Sequence, residues 1–200
     1  MRVRFLQPAP VPFGSVSKYL PHGCESKGYY LKVNNVTKTI DTLVDDIYEL
    51  FDKPERFNPT EEEIKEFGEN LAKLIAVRTK ERQKQGTLRV SNLGTPCSKQ
   101  LYYKVNSERY NPEDLPPSTR IKFLFGDILE ELLLFLSAQA GHAVEGCQGT
   151  VEINGIKGHR DAVIDGRLVD VKSASTFAMN KFAQNKLEED DPFGYIDQIN

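Results

Sequence analysis

The dipeptide Asp165-Gly166, set between two runs of β-forming residues, constrains the fold of this chain more than any other feature. A type I′ hairpin turn needs positive φ at both of its central residues, and Asp-Gly is a preferred pair at those positions. The run Val163-Ile164 precedes the turn and Leu168-Val169 follows it. Residues 158–175, "GHRDAVIDGRLVDVKSAS", are therefore predicted to form a β-hairpin in which Ile164 pairs with Arg167.

The predicted register brings acidic side chains together. Asp161 faces Asp170 directly, and His159 faces Lys172. Because side chains alternate between the two faces of a strand, all four lie on one face. Two like charges opposite each other destabilise a strand pair by a few tenths to about 1 kcal/mol, and by more when they are buried.

Two interpretations of the acid pair stay open. In the first, both carboxylates are solvated on an exposed face of the hairpin. In the second, a divalent cation lies between them, since Mg²⁺ takes one or two carboxylates together with waters and substrate phosphates. Lys172 favours the second interpretation, because a lysine beside a metal site can orient and polarise the water that attacks phosphorus.

Length and composition predict one substantial core, with room for a small appendage. The chain has 200 residues, of which 39% are hydrophobic and 28% charged, and its net charge of −3 gives no global basic signature of nucleic-acid binding. A local groove can still hold DNA. The three cysteines, Cys24, Cys97 and Cys147, show no CxxC spacing, which argues against a disulfide scaffold and a self-contained zinc site and favours a reducing cytoplasm. No apolar run is long enough for a membrane span, and the N-terminus lacks a signal-peptide h-region.

Two helices are predicted in the first half of the chain, after an irregular arm over residues 1–30. Residues 38–51 carry apolar residues at helical spacing: Ile40, Leu43, Val44, Ile47, Leu50 and Phe51. In the second helix, Thr60 and Glu63 form a capping box and Gly86 is the expected end. Its apolar stripe is Ile64, Phe67, Leu71, Leu74 and Ile75. The basic end, "RTKERQKQG", is interpreted as a solvated end that suits the helix dipole, with a DNA contact as the alternative.

A short helix and a long helix are predicted next. Ser91 is expected to cap the short helix, and its packing face is Leu101, Tyr102 and Tyr103. Positive charge from Lys99, Lys104 and Arg109 is compatible with a track that binds DNA phosphates.

Residues 118–140 form the long helix, whose expected core is Leu129, Leu132, Leu133 and Leu136. Its other stripe, Asp127, Glu130, Glu131 and Leu134, is either a solvated face or the source of a third metal carboxylate. A strand and an Asn154-Gly155 turn follow, and a helix broken at Pro192 closes the chain.

Four pieces over about residues 91–198 resemble, in order, the motifs of the PD-(D/E)XK nuclease superfamily, in particular its RecB-like branch of phage and recombination exonucleases. "SNLGTPCSKQLYYK" is similar to the S-x-L-x-x-C-x-R-x-L-Y-Y helix of that branch, and "FGDILEELL" to its G-x-x-x-[H/E] helix. "GHRDAVID" and "LVDVKSAS" resemble its G-H-x-D and [D/E]-x-K strands. "YIDQIN" resembles the start of its Q-x-x-x-Y helix.

The resemblance implies a role for each matching residue. Asp161 and Asp170 would be metal ligands and catalytic residues. Glu130 would also be catalytic, as a third ligand that binds the metal directly or through water, and the backbone carbonyl of Val171 would be a fourth ligand. Lys172 would be catalytic and orient the attacking water. The residues expected to touch the substrate or to support the site are His159, Gln198, Ser173, Lys99 and Tyr102.

The chain also departs from the family pattern. Arg160 stands where the family has a proline before the first Asp, and Lys99 stands at the position of the first motif's arginine or beside it. Cys97 matches the first cysteine of iron–sulfur members, but no C-terminal cysteine cluster follows, so no iron–sulfur cluster is expected. The chain ends inside the glutamine motif, so the core is expected to continue beyond Asn200.

The fold implied by the resemblance is α/β, with a restriction-endonuclease-like core. A small mixed β-sheet flanked by helices would span residues 86–200, and residues 1–85 would be a mainly helical extension. The implied activity is Mg²⁺-dependent exonucleolytic hydrolysis of DNA in recombination, repair or phage DNA metabolism, with Mn²⁺ as a substitute cation. A structure-specific or restriction-type endonuclease and a non-catalytic DNA-binding protein are the alternatives. DNA is the expected partner, and the resemblance allows a single-strand-annealing or recombination protein and a homo-oligomer.

Overall fold

Five α-helices precede five short strands in the described part of the chain. The computed structural model describes residues 38–80, 88–93, 97–106, 116–173, 179–180, 184 and 186. The α-helices are α1 (Leu43–Asp52), α2 (Glu61–Thr79), α3 (Val90–Leu93), α4 (Ser98–Asn106) and α5 (Pro117–Gln139). Single 3₁₀ turns at Ile40–Thr42 and Pro54–Arg56 flank α1. The prediction of a long helix over residues 118–140 is confirmed by α5.

Two small antiparallel sheets follow the helices. The strands are β1 (Val144–Glu145), β2 (Gly149–Ile153), β3 (Ile156–Arg160), β4 (Ala162–Ile164) and β5 (Arg167–Val169). One sheet has the order β1-β4-β5 and the other pairs β2 with β3. Within the described ranges, parallel pairing is limited to one isolated bridge between Arg89 and Lys157, so the expected mixed sheet is antiparallel there. The mixed α/β class is confirmed, while a restriction-endonuclease-like core stays a prediction.

The Asp165-Gly166 hairpin forms in the predicted register. Ile164 pairs with Arg167, and the ladder continues to Ala162 opposite Val169. Asp165 and Gly166 have φ of 50° and 76°, as a type I′ turn requires. The second predicted turn, at Asn154-Gly155, is confirmed between β2 and β3.

The strand before the hairpin changes sheets at Asp161. Residues of β3 pair with β2, where His159 lies opposite Thr150 and Arg160 opposite Gly149. The prediction that His159 faces Lys172 is therefore wrong. The period-2 pattern cannot show this change, because both strands keep it while their partners differ.

The hydrophobic core joins α1, α5 and the three-stranded sheet. Its α1 members are Leu43, Ile47 and Leu50, whereas Val44 and Phe51 of the predicted stripe are exposed. The α5 members are Leu134, Phe135 and Ala138, and the sheet contributes Val144, Ala162, Ile164 and Val169.

The face of α5 that enters the core differs from the predicted one. Leu129, Leu132, Leu133 and Leu136 are only partly buried, while Leu134 and Phe135 are each 4% exposed. Phe67 of α2 stacks on Phe135 at 4.5 Å between ring centroids. Residues 132–136 of α5 form a continuous apolar run, so the packing partners of this segment rather than its periodicity select the buried face.

The capping box of α2 is confirmed, but the helix ends earlier than predicted. Thr60 Oγ1 accepts from the Glu63 N–H at 3.2 Å, and Glu63 Oε2 accepts from the Thr60 N–H at 2.7 Å. The helix ends at Thr79 rather than at Gly86, because the backbone of Lys80 is extended. Within the predicted stripe, Ile64 and Ile75 are exposed.

The short helix expected after Ser91 is two helices. Ser91 lies inside α3 rather than at a cap, and the helix with the aromatic pair begins at Ser98. Tyr102 and Tyr103 are exposed and contact each other edge to face, so the prediction that they form a packing face is wrong.

Several predictions fall on parts of the chain outside the described residues. These are the arm over residues 1–30, Cys24, Gly86, Arg109, the helix break at Pro192 and Gln198. Of the predicted C-terminal helix, Met179 and Asn180 are helical, and the Gln184 N–H donates to the Asn180 carbonyl at 3.0 Å. Among the described helices, none is both long enough and apolar enough to cross a bilayer.

A buried histidine connects α1 to the hairpin turn. His142 is fully buried, with Nδ1 2.6 Å from Asp165 Oδ2 and Nε2 3.2 Å from Asp46 Oδ2. Asp165 Oδ1 also accepts from the Ala143 N–H at 3.0 Å. On the α1 side, Asp46 pairs with Lys38 at 2.8 Å. Burial acts to raise the pKa of Asp46, but Lys38 and the other donors lower it overall. The histidine thus joins two elements that are far apart in sequence.

Candidate active site

The hairpin and the middle of α5 bring acids and a lysine into one cluster. Asp161 lies between β3 and β4, and Asp170 and Lys172 follow β5. Glu130 comes from α5, and it interacts electrostatically with both Asp161 and Lys172. The four residues predicted to be catalytic therefore lie near one another, on two separate elements. We call Glu130, Asp161, Asp170 and Lys172 the acid–lysine cluster.

Asp161 is held by backbone contacts on both sides. Its Oδ2 accepts from the Val171 N–H at 2.7 Å, and its carbonyl accepts from the Gln148 N–H at 2.9 Å. Burial raises the pKa of Asp161, the Val171 N–H lowers it, and the charge of Asp170 raises it again. The net pKa shift is upward. The mutual effect of the two aspartates agrees with their predicted proximity.

Glu130 is the most strongly perturbed acid of the cluster. Burial, followed by the charge of Asp161, raises its pKa to about 8. The side-chain amide of Gln148 donates a hydrogen bond to Glu130 Oε1, and this bond and Lys172 both act to lower the pKa. Burial and a like charge together keep a proton on this carboxyl near neutral pH. Of the two alternatives for the acid stripe of α5, the proximity of Asp161 and Lys172 favours the metal-carboxylate interpretation for Glu130, which is partly buried.

Lys172 lies close to the carboxylates of the cluster. Its Nζ donates to Asp170 Oδ1 at 2.8 Å, and a third of its side chain is exposed. Its charge lowers the pKa of Glu130 and that of Asp161. The ammonium group is thus positioned by a carboxylate.

An arginine from α2 reaches the same region and was not singled out by the sequence patterns. Arg78 donates two hydrogen bonds to Asp127, one of them from Nη2 to Oδ1 at 2.6 Å. This bidentate bond raises the pKa of Arg78 against the opposing effect of burial. The interpretation of this basic helix end as solvated is therefore wrong for Arg78. Asp127 raises the pKa of both Glu130 and Asp161, so the ion pair lies beside the cluster.

The donor set of the cluster fits a hard cation. Glu130, Asp161 and Asp170 offer carboxylate oxygens, and a cation would offset the repulsion that raises the pKa of two of them. Within the described residues, no three acidic, histidine or cysteine side chains converge closely enough to hold a metal by themselves. Mg²⁺ commonly completes its shell with waters and substrate phosphates, so these acids would hold it only in part.

The remaining predicted site residues lie at varying distances from the cluster. Ser173 is exposed next to Lys172, and its Oγ lies 3.7 Å from the place where a side chain at Gly126 of α5 would begin. His159 is exposed on β3. Lys99 and Tyr102 are exposed on α4, and no hydrogen bond or ion pair among the described residues joins them to the cluster. The metal-ligand role of the Val171 carbonyl stays a prediction.

Two contacts at the site, from Gln148 and Arg78, could not be found by motif. Gln148 has a positive φ of 53° in the loop before β2. A glutamine in the sequence does not indicate this backbone conformation. Arg78 and Asp127 are 49 positions apart. Comparisons of the chain with protein-family models, with curated proteins and with solved structures found no match.

Proposed function

We propose that the protein is a metal-dependent DNA exonuclease that hydrolyses phosphodiester bonds in recombination, repair or phage DNA metabolism. The observation that supports this most is the acid–lysine cluster itself. A hairpin and a helix that are separate in sequence contribute three carboxylates and one ammonium group to the same place. The same proposal includes DNA as the substrate and the cytoplasm as the location. For a phage protein, this would be the cytoplasm of the host.

Each residue of the cluster has a defined task in this proposal. Glu130, Asp161 and Asp170 would hold Mg²⁺, and the bound cation would supply Lewis-acid chemistry at the phosphoryl group. Asp161 is oriented for this by the Val171 N–H. Lys172, positioned by Asp170, donates a hydrogen bond to the attacking water and aligns it with phosphorus.

The test compares two substrates and two lysines. End-labelled linear duplex DNA and closed circular DNA are incubated with wild-type protein, in Mg²⁺ or in EDTA. Lys172→Ala is expected to slow Mg²⁺-dependent loss of the linear substrate by at least about 100-fold, the usual scale for a lost catalytic proton donor or acceptor. Lys157→Ala is the matched control, because Lys157 is an exposed lysine of β3 with 62% side-chain exposure.

The outcomes separate the three functions. Loss of the linear DNA alone, abolished by Lys172→Ala and unaffected by Lys157→Ala, supports the exonuclease. Cutting of the circle supports the endonuclease with the same cluster. Absence of cleavage by a folded protein that still binds DNA would reject catalysis and leave a non-catalytic DNA-binding protein.

A further inference from the structure

The helix face that carries the acids of the cluster continues towards the start of α5 with an aromatic ring and a cation. Arg120, Phe123, Asp127 and Glu130 follow one another at spacings of three, four and three residues, which places them on one face of the helix. Phe123 lies about 10 Å along the helix axis from Glu130, given a rise of ~1.5 Å per residue. A single extended strand can therefore reach both positions.

Phe123 is linked to the region of the cluster by a contact with Arg78, as well as by its position on the helix. The guanidinium carbon of Arg78 lies 5.9 Å from the centroid of its ring, and the same guanidinium binds Asp127. The ring nevertheless stays 45% exposed. An exposed aromatic ring beside a cation, about two helical turns from Glu130 of the cluster, is a surface on which a nucleobase can stack.

Arg78, which contacts this ring, also lines a pocket together with a second arginine. The pocket lies between the end of α2 and the start of α5 and is lined by Arg78, Thr79, Pro117, Arg120, Ile121 and Leu124. Arg120 Nη2 donates to the carbonyls of Arg78, Thr79 and Lys80, at 2.9, 3.3 and 3.2 Å. These acceptors are neutral, so the bonds position the guanidinium of Arg120 without cancelling its charge.

We infer that this surface, formed by Phe123, Arg120 and the α2–α5 pocket, binds an unpaired DNA strand and guides its end to the acid–lysine cluster. The inference rests on the proposed nuclease function. Stacking on Phe123 requires a base whose face is free, and in a duplex both faces of an internal base are covered by its neighbours. Arg120 supplies the phosphate contact that a positively charged groove provides along a single strand.

The test is a binding measurement in EDTA, so that cleavage plays no part. The probes are a fluorescein-labelled 12-nucleotide oligothymidine and a blunt duplex of the same length, followed by fluorescence anisotropy. Phe123→Ala is expected to weaken binding of the oligothymidine about tenfold, as expected for loss of one stacked base. Phe123→Tyr, which keeps the ring, restores it, and duplex affinity changes much less.

The control variant is Phe125→Ala. Phe125 is 62% exposed, but it points away from the acid-bearing face because it lies two residues from Phe123 on the same helix. Its substitution should leave oligothymidine binding unchanged. The inference is overturned if wild-type protein does not bind the oligothymidine, if Phe123→Ala binds it normally, or if Phe125→Ala weakens binding equally.

Parallel cleavage assays in Mg²⁺ keep the two proposals apart. Cleavage by wild-type protein without any effect of Phe123→Ala on binding would overturn the strand-binding surface and leave the nuclease in place. Ring-dependent binding without cleavage would support the surface and reject the nuclease.

Discussion

Among the described residues, Glu130 is the acid whose protonation is most affected by folding. In an unfolded chain a glutamate has a pKa of about 4.3, while burial and Asp161 raise the pKa of the folded form to about 8. The folded protein therefore holds this proton more tightly than the unfolded chain. The stability that protonation contributes is complete below about pH 4.3 and is lost as the pH rises to about 8.

Glu130→Gln is expected to make the protein more stable at alkaline pH. The amide keeps the size of the protonated acid and carries no charge, so the gain in unfolding free energy should be roughly 1–3 kcal/mol above pH 8 and small near pH 5. Urea denaturation at both pH values in EDTA measures it. Glu152→Gln, at an exposed position of β2, should change stability by less than about 0.5 kcal/mol at either pH. Equal stability of Glu130→Gln and wild type at pH 8.5 would contradict the prediction.

At the scale of elements, His142 holds α1 against the hairpin turn. His142→Leu removes both of its contacts and leaves the Asp46 and Asp165 carboxylates facing an apolar side chain. The expected loss is about 2–4 kcal/mol of unfolding free energy, since two carboxylates would each lose one hydrogen-bond partner while facing an apolar side chain. Thermal or urea unfolding measures the loss. His159→Ala, on the exposed face of β3, is the control and should cost less than about 0.5 kcal/mol.

The elements that could be predicted from sequence are those set by local chemistry. The Thr60 and Glu63 capping box and the two turns, Asn154-Gly155 and Asp165-Gly166, each depend on residues a few positions apart. The register of the hairpin follows from its turn, and this register alone predicts that Asp161 and Asp170 lie close together. Three of the four residues in the acid–lysine cluster lie within this hairpin, so most of the cluster could be predicted.

The features that could not be predicted depend on partners far away in sequence. Nothing near Arg78 indicates that it binds Asp127, and nothing near His142 indicates that it lies between two acids. The strand break at Asp161 depends on β2, which competes for the residues before it. The buried face of α5 depends on Phe67 and α1, because leucines surround this part of the helix.

For the whole molecule, the core shows that α1 contributes to the stability of the sheet. Leu43, Ile47 and Leu50 belong to the same hydrophobic cluster as Ile164 and Val169. Burial of one such side chain stabilises a fold by ~1.5–3 kcal/mol, so these three together approach the ~5–15 kcal/mol of a typical domain. The proposed boundary at residue 85 therefore separates sequence regions whose side chains share one core.

A chain of residues 86–200 is expected to lack cooperative folding. Without α1 and α2, it would expose Leu134, Phe135 and Ala138 to water. Circular dichroism and urea unfolding of this fragment, beside the full chain, measure the effect. A cooperative transition in the fragment, at the midpoint of the full chain, would instead show that residues 86–200 fold on their own.

Asp165 has three structural roles, one through its backbone and two through its carboxylate. It takes the positive φ of the turn, accepts the Ala143 N–H and contacts the ring of His142. Glycine would suit the turn equally well, but it would leave that ring and that N–H without the carboxylate. The acid at 165 and the histidine at 142 therefore act as one unit: a substitution that the turn itself tolerates would still leave a fully buried imidazole with one contact fewer.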